Sequence, residues 1–430
     1  MADEYDAYVP EMVETRRRLH AHPELGWTEF ETTALVAQRL QALGFEIHLG
    51  TEVVNPEAVL GRDPKAAKAA EERARAHGVP EEILQRMGGY TGCVGILDTG
   101  RPGPTLAFRH DMDALPIQEI TDPKSGHLPA VEGFASTVKG VMHACGHDSH
   151  TATGLGVAHW LSDHKAELCG RIKLIFQPAE EGTRGAGAMV AAGVVDDVDW
   201  FFGAHVGTVA KPGEIVIQPD GYMATTKFDV NYTGVPSHAG GNPEKGRSAL
   251  IAAADAAVML TAITRTSEGD TRVAVGRLDA GEGRNITPVH AHMECEVRGS
   301  TFAANDYMFS RAQEVVKGSA EMMGVKYELI KTGQAGVIET TAAALAAMHK
   351  AAEAIPGIKV REYHNAGGSE DCTLFMHRVA EHGGNPGFFL FGCNHHGHHR
   401  PDFDIQDTKN MKPGFLVFVN LARDICGRRA

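Results

Sequence analysis

Apolar positions along this 430-residue chain predict strands that alternate with helices. Short, largely apolar runs at 105–108, 171–176 and 200–206 are typical of buried strands. Between the first two runs, apolar residues recur every three positions over 148–163, which favours a helix. Because strand follows helix and helix follows strand, we expect an α/β fold around a mixed, mostly parallel sheet.

The pattern changes between residues 222 and 334, where alternating apolar and polar positions are typical of half-exposed strands. The predicted order is β-α-β-β-α-β. Its first three strands are expected at 228–232, 271–277 and 290–298, and its two helices at 247–263 and 305–324. This outline predicts an inserted α+β sandwich. The last segment returns to the first pattern, so we expect one domain from 1–221 and 335–430 and a second from 222–334.

Residues 63–87 are helical and highly charged in composition, and Gly78 and Pro80 divide them into two pieces. Few apolar positions line up on one face. A surface insertion is the favoured interpretation, and a lid or a partner contact is the alternative.

Composition narrows the class of protein. Hydrophobic residues make up 43% and charged residues 22%, as in soluble globular proteins, and no run approaches the ~18 apolar residues of a membrane span. The net charge of −14 disfavours nucleic acid as a partner. Seven scattered cysteines and a first segment unlike a secretory signal predict a cytoplasmic protein.

The segment 141–150 concentrates three histidines, one cysteine and one aspartate in ten positions. Thiolate and imidazole are preferred ligands of borderline-soft divalent ions, so we predict a metal site. The following helix should begin near Asp148 or Ser149, which are both good N-cap residues. Cys145 would then lie at a helix N-terminus, where the dipole favours the thiolate. A buried cysteine beside capping residues is the alternative.

Polar side chains follow each of the three predicted strands. Asp111 and Asp113 come after the first, Glu180 and Glu181 after the second, and His205 ends the third. Parallel strands bring their carboxyl ends to one sheet edge, where α/β proteins place their sites. Successive side chains in extended backbone face opposite ways, so one glutamate should bind a metal and the other should accept a proton from water. A solvated surface pair is the alternative.

Other histidines are weaker signals when each is taken alone. A single histidine such as His205 is more often a satisfied core residue. The cluster at 395–399 indicates a metal, although the residues do not say which histidine would bind it. His238 lies in a glycine-rich stretch of the inserted segment and is most simply a loop residue.

Several motifs occur together in one order: His20–Gly26, Asp111–Pro116, His143–Asp148, Gln177–Gly182, Ala204–His205, Ser237–Ala239 and Gly368–Asp371. Across nearly the whole chain they resemble the two-metal amidohydrolase branch of the aminoacylase and carboxypeptidase G superfamily. Runs at 52–55, 175–186, 193–197 and 223–228 are similar to members of that branch that act on p-aminobenzoyl-glutamate. The resemblance implies a zinc-peptidase-like catalytic domain interrupted by a lid and dimerisation domain.

Site residues follow from the same resemblance. Glu180 would be the general base that activates water and passes the proton to the leaving amine. His238 would polarise the scissile carbonyl, in its own active site or in that of a partner subunit. The implied metal ligands are Cys145, His147, Glu181, His205 and His399.

Two further residues would bind the substrate, and one position departs from the superfamily pattern. Asn285 and Arg298 would hold the substrate's carboxylates. Relatives elsewhere in the superfamily carry His-x-Asp where this chain has Asp111-Met-Asp113, so the first ion would rely on Cys145. Asp113 would instead orient a histidine. His110 has no assigned role.

The implied activity is cleavage of the amide bond of an N-acyl or N-aroyl acidic amino acid, with p-aminobenzoyl-glutamate as the leading substrate. Two divalent ions per subunit, Mn²⁺ or Zn²⁺, are implied, and so is a homodimer or a complex with a related subunit. Alternatives within the class are indole-acetyl-aspartate or hippurate-like amides. Outside it, the alternative is a catalytically silent subunit, whereas a nucleobase deaminase is disfavoured because its Pro-Cys-x-x-Cys motif is missing.

Overall fold

The computed structural model describes residues 5–362, 364–365 and 367–428, which divide into two compact units. The first contains the described chain up to Gly221, Ile338–Gly367 and the chain from Asp371 onward. The second contains Tyr222–Val337 and Gly368–Glu370. Each unit has a hydrophobic core of its own.

The first unit is built on an eight-stranded sheet. With strands numbered along the whole chain, its members are β1 (Glu46–Leu49), β2 (Cys93–Asp98), β3 (Thr105–Asp111), β4 (Arg171–Gln177), β5 (Trp200–Val206), β6 (Glu214–Val216), β12 (Lys359–Arg361) and β14 (Asn385–Phe391). A separate parallel pair is formed by β7 (Pro219–Asp220) and β13 (His364–Asn365).

The strand order is β1-β2-β4-β3-β5-β14-β6-β12. Its four central strands, β4, β3, β5 and β14, run parallel, and β1, β2 and β6 pair antiparallel to their inner neighbours. Asp111 lies opposite Gln177, and His205 lies opposite Leu390, so the central strands end at one edge. The predicted mixed, mostly parallel sheet is confirmed.

Helices cover both faces of this sheet, which is why the central strands are apolar on both sides. They are α1 (Val9–Ala21), α2 (Phe30–Ala42), α3 (Pro64–Ala76), α4 (Glu81–Met87), α5 (Leu128–Val131), α6 (His147–Asp163), α7 (Ala186–Ala191), α10 (Ala342–Glu353), α11 (Cys372–Glu381) and α12 (Asp407–Cys426). Among the described helices, none has the length and apolar character that a membrane crossing requires.

The start of α6 differs from the prediction. The helix begins at His147, not at Asp148 or Ser149. Gly146 precedes it with a φ of 92°, a left-handed conformation that turns the chain sharply before the first helical residue. The Ser149 hydroxyl donates to the Gly146 carbonyl oxygen, so it does not cap a free backbone N–H.

The charged segment 63–87 forms α3 and α4 on the surface of the first unit. Its buried face consists largely of alanines, Ala67, Ala70 and Ala74, which pack with Phe30 and Ala34 of α2. Small side chains let the two helices approach closely, so a face with few large apolar residues is sufficient to hold the segment.

The second unit has a four-stranded antiparallel sheet in the order β11-β8-β10-β9. Its elements are β8 (Ala224–Thr233), α8 (Ala249–Thr261), β9 (Thr271–Ala280), β10 (His290–Gly299), α9 (Phe302–Met323) and β11 (Lys326–Ala335). Both helices pack on the sheet through one apolar cluster. The elements follow the predicted β-α-β-β-α-β order, and Ser248 and Thr301 cap the two helices.

Candidate metal centre

Ligand-type side chains from four segments meet past the carboxyl ends of the central strands. Each of three overlapping groups has its ligand atoms within 4.8 Å of one another. The groups are Cys145 with His147 and His205, Cys145 with Glu181 and His399, and His147 with Glu180 and Glu181. The structure therefore brings together all five residues predicted as ligands, and Glu180 lies beside them.

Hydrogen bonds set the protonation of two histidines in the cluster. His147 Nδ1 lies 3.2 Å from Asp113 Oδ1, and His205 Nδ1 lies 2.8 Å from the Val206 carbonyl oxygen. Since both partners are acceptors, each Nδ1 carries the proton. In the neutral form of each ring, Nε2 therefore presents a lone pair, and His205 Nε2 lies 3.4 Å from Cys145 Sγ. Metal-binding histidines are commonly held in this way.

Two buried atoms of the cluster have no hydrogen-bond partner among the residues that the structure describes. They are His147 Nε2 and Glu181 Oε1. A buried polar atom without a partner costs about 1–3 kcal/mol, and native proteins contain few. A divalent cation would satisfy both atoms, and the mixed thiolate, imidazole and carboxylate set suits Zn²⁺ or Mn²⁺. The residues present therefore fit a metal centre.

The thiol of Cys145 departs from the prediction based on the helix dipole. Burial and the neighbouring Glu181 carboxylate raise its pKa well above the usual value, although α6 begins two residues later. Desolvation of a thiolate outweighs the dipole in this environment. A bound cation would reverse the balance, because a coordinating thiol is deprotonated.

The histidine cluster after β14 contains two candidates with different surroundings. His398 Nε2 accepts a hydrogen bond of 2.9 Å from the Thr208 backbone N–H, so its Nδ1 carries the proton, 3.6 Å from Cys145 Sγ. Burial lowers the pKa of His398 to about 3, so the ring is neutral. It is placed to donate to the sulfur and not to bind a cation.

His399 has the opposite arrangement. Its Nε2 lies 3.5 Å from Glu181 Oε1, and its backbone N–H donates to the Ala144 carbonyl oxygen. The residue has a φ of 61°, an uncommon conformation for a non-glycine residue that turns its ring toward Glu181. Of the two candidates, His399 has the geometry of a ligand.

Asp113 supports three parts of the cluster at once. Beyond its contact with His147, it accepts hydrogen bonds from the backbone N–H groups of Glu180, at 3.0 Å, and Glu181, at 2.9 Å. The preceding Ala179 has a φ of 52°, a left-handed conformation that turns the chain just before the two glutamates. Asp113 thus has the position that the predicted orienting role requires.

Asp111 and His150, which the sequence did not single out as a pair, lie directly behind the cluster. Asp111 accepts from Arg109 and from His150 Nδ1, each at 2.6 Å. His150 Nε2 accepts from the Val206 N–H, so both of its nitrogens are used. The spacing of three residues between His147 and His150 was the available signal, because it places both rings on one face of α6.

A buried charged network lies on the other side of α6. Arg16 contacts Asp148 at 2.8 Å and Asp404 at 3.0 Å, and His20 contacts Asp148 at 2.7 Å and Glu119 at 2.9 Å. The motif that begins at His20 therefore holds the start of α6 in place, and it carries no ligand of the cluster.

His110, to which the sequence assigned no role, is a core residue. Its ring packs against Phe176 and Phe418. Burial lowers its pKa to about 3, so it is neutral.

The remaining predicted residues lie in the second unit. His238 is exposed, and its Nδ1 accepts from the Gly240 N–H. The Asn285 carbonyl oxygen accepts from the Ala239 N–H, and an isolated antiparallel bridge joins His238 to Ile286, so the segments that carry Asn285 and His238 lie side by side. Arg298 pairs with Glu296 at 2.9 Å and contacts Ser369 Oγ at 3.5 Å. Their roles at a substrate stay predictions.

Residues 107–424 match the model of peptidase family M20/M25/M40. The chain belongs to this family. The matched range contains the whole cluster described above, together with the inserted unit.

Two relatives match nearly the whole chain. Indole-3-acetyl-aspartic acid hydrolase of Enterobacter agglomerans is 49% identical over 405 residues, which is 93% of this chain and 92% of that protein. One of the subunits of p-aminobenzoyl-glutamate hydrolase from Escherichia coli is 46% identical over 407 residues, 94% of this chain and 93% of that protein.

Solved structures of two relatives have the same fold as this chain. An aminobenzoyl-glutamate utilization protein from Klebsiella pneumoniae has a TM-score of 0.84 and 42% identity, and the match covers 99% of this chain and 97% of that one. A dinuclear metal-binding M20 peptidase from Bacillus subtilis has a TM-score of 0.67 and 27% identity, with 97% and 98% covered. The predicted family resemblance, fold class and hydrolase activity are confirmed, and the matches support divalent metals as cofactors.

Proposed function

We propose that this M20 hydrolase cleaves the amide bond of an N-acyl or N-aroyl acidic amino acid. The leading substrate is p-aminobenzoyl-glutamate, which yields p-aminobenzoate and glutamate. The observation that carries the proposal is the convergence of the five ligand-type side chains around Glu180. The 46% identity to a hydrolase component named for that reaction supports the choice of substrate.

Two divalent ions, Mn²⁺ or Zn²⁺, are held by Cys145, His147, Glu181, His205 and His399 in this proposal. His147 Nε2 and Glu181 Oε1, which have no hydrogen-bond partner among the described residues, support it, because both atoms can coordinate a cation. When bound, such a metal pair polarises the scissile carbonyl and lowers the pKa of water toward neutrality. Asp113 keeps His147 in the tautomer that leaves Nε2 available.

Glu180 is the general base. Its side chain is buried, and its Oε2 lies 3.9 Å from His147 Nε2. The carboxylate accepts a proton from water and then delivers it to the nitrogen of the leaving amino acid. The backbone N–H of Glu180 donates to Asp113, which fixes the base relative to the ligands.

The second unit has the role of a lid and a dimerisation unit. His238 polarises the carbonyl, in the same chain or from a partner subunit, and Asn285 and Arg298 hold the substrate's carboxylates. An apolar stripe on α8, formed by Ile251, Val258 and Met259, is exposed in the single chain. Such a face suits burial against a second copy or a related subunit. We place the protein in the cytoplasm, since its scattered cysteines suit a reducing compartment.

A second candidate substrate is indole-acetyl-aspartate, favoured by the 49% identity to a hydrolase named for it. Both substrates join an aromatic acyl group to an acidic amino acid, so the two candidates share one reaction. They differ in the acyl group and in the length of the amino acid side chain.

A substrate panel tests the proposal. Purified protein loaded with Mn²⁺ or Zn²⁺ is incubated with p-aminobenzoyl-glutamate, indole-acetyl-aspartate, hippurate and a neutral benzoyl dipeptide, and released amino acid is measured. We expect the acidic conjugates to be hydrolysed fastest. Hydrolysis of none of the panel by the chain alone would favour a silent subunit that needs a partner.

A further inference from the structure

A cavity of about 430 Å³ adjoins the metal centre within the first unit. Glu181, a predicted ligand, lines it, so whatever occupies the cavity lies beside the reacting groups. Its volume falls in the range of roughly 300–1,000 Å³ that is usual for small-molecule sites. Neither the metal ligands nor Glu180 requires such a space.

One wall of the cavity comes from residues 52–90, a segment that includes the charged stretch 63–87. Gly61, Asp63 and Ala66 line it from this side. The opposite side is apolar and includes Leu25, Trp27, Leu115 and Pro116. The segment that looked like a surface insertion therefore also closes a cavity next to the metal centre.

Hydrogen bonds fix this wall to the body of the unit. Trp27 Nε1 donates to the Leu60 carbonyl oxygen at 2.8 Å, and Arg184 Nη1 donates to the Gly61 carbonyl oxygen at 3.0 Å. Arg184 Nε also donates to the Glu181 carbonyl oxygen at 2.8 Å, so one side chain joins the wall to the metal segment. The cavity is therefore preformed.

Gly26 makes room for this arrangement. A Cβ built at Gly26 would lie 2.4 Å from Arg184 Nη2 and 3.0 Å from the Ala179 Cα. Any larger residue would push the guanidinium away from the cavity wall. The glycine of the His20–Gly26 motif thus makes room for Arg184 at the cavity wall and for the backbone of Ala179, which precedes Glu180.

The charges of the lining select the kind of group that fits. Apart from Glu181, whose charge the bound cations would offset, Asp63 contributes a carboxylate to the lining and Arg184 contributes a cation whose Nε and Nη1 already bind carbonyl oxygens. A glutamate or aspartate leaving group would bring two further carboxylates beside Asp63, and that repulsion is unfavourable. An uncharged, flat group gains from the apolar side and meets no such repulsion.

We infer that this cavity binds the aromatic acyl group of the substrate, and that the 52–90 segment sets the acyl specificity of the enzyme. The inference rests on the proposed function, because it assigns the acyl group of the proposed substrate to this cavity. Leu25, Leu115 and Pro116 contact the ring, and α3 forms the boundary that limits its size.

A pair of substitutions on one helix tests the inference. Ala66 lines the cavity from an exposed position on α3, so Ala66→Trp fills the cavity without disturbing a core. Ala69 is exposed on the same helix and does not line the cavity, so Ala69→Trp is the matched control. Metal-loaded wild type and both variants are compared by calorimetric binding of p-aminobenzoate and by kcat/KM for p-aminobenzoyl-glutamate and acetyl-glutamate.

We expect Ala66→Trp to weaken p-aminobenzoate binding at least about tenfold. Its kcat/KM for p-aminobenzoyl-glutamate should fall about tenfold more than that for acetyl-glutamate. Ala69→Trp should match wild type in both measurements. Equal p-aminobenzoate binding by wild type and Ala66→Trp, or an equal loss in both variants, would overturn the inference. If wild type hydrolyses neither substrate, the proposed function fails, and the binding comparison still decides whether the cavity takes an aromatic ring.

Discussion

His147 and Asp113 face each other through Nδ1 and Oδ1 at 3.2 Å, and both side chains are fully buried. This contact leaves His147 Nε2 facing the ligand cluster, with no hydrogen-bond partner in the described part of the chain. The same carboxylate accepts the N–H groups of Glu180 and Glu181. One aspartate therefore orients a predicted ligand from α6 and the two glutamates that follow β4.

Replacing this aspartate tests how much it contributes to metal binding. In Asp113→Asn the amide oxygen still accepts a hydrogen bond, but the NH₂ group faces N–H donors and cannot accept. The hydrogen bond to His147 or those to the backbone of Glu180 and Glu181 are therefore lost. We expect metal affinity to fall about 10–100-fold, measured by competition with a chelator. Asp98→Asn, at an exposed strand end, is the control and should bind metal as wild type does.

The two neighbouring histidines after β14 offer a sharper comparison. His399→Ala should reduce the metal content measured by elemental analysis, because His399 Nε2 is the nitrogen near Glu181. His398→Ala should keep the metal, because His398 uses its Nε2 to accept from the Thr208 N–H. Loss of metal from His398→Ala alone would show that the ligand assignment is reversed.

Sequence patterns predicted the sheet and the position of the site, because both depend on which residues follow one another along the chain. Apolar runs that end in Asp111, Glu180 and His205 determine which side chains reach the shared edge. The residue pattern alone left the choice between His398 and His399 open, and only the family resemblance implied His399, because the distinction depends on a backbone N–H 190 positions away. Only the folded chain brings that donor to the ring.

The pKa of Cys145 was unpredictable for a related reason. Its position before α6 can be read from the sequence, and it suggested a stabilised thiolate. The burial of the thiol and its approach to Glu181 come from the assembled fold, and they raise the pKa instead. The cavity beside Glu181 was unpredictable in the same way. Residues 25–28 and residues of the 52–90 segment line it together, and the sequence pattern of neither stretch shows that the two are close in the fold.

Glu119 makes the stability of the first unit depend on pH in the acidic range. Burial alone would raise its pKa, but hydrogen bonds from His127 and His20 outweigh burial and lower the pKa to about 2, from 4.5. The folded state thus favours the carboxylate, and this stability is present above about pH 4.5 and lost as the pH falls toward 2. The shift corresponds to about 3 kcal/mol at most.

Glu119→Gln should therefore be less stable than wild type at neutral pH, and its stability should fall less steeply between about pH 4.5 and 2. Urea unfolding followed by tryptophan fluorescence measures this, because Trp27, Trp160 and Trp200 all lie in the first unit. Glu132→Gln, at an exposed carboxylate, is the control. Parallel pH profiles for wild type and Glu119→Gln would contradict the assigned contribution.

The central claim is that the side chains which bind the metal lie beside a glutamate, Glu180, that transfers protons and is not needed to hold the metal. The most direct measurement compares turnover of p-aminobenzoyl-glutamate and metal content, by elemental analysis, in wild type and Glu180→Ala. We predict that turnover falls at least about 100-fold while metal content equals that of wild type. Retained turnover in Glu180→Ala, or loss of metal together with turnover, would contradict the account.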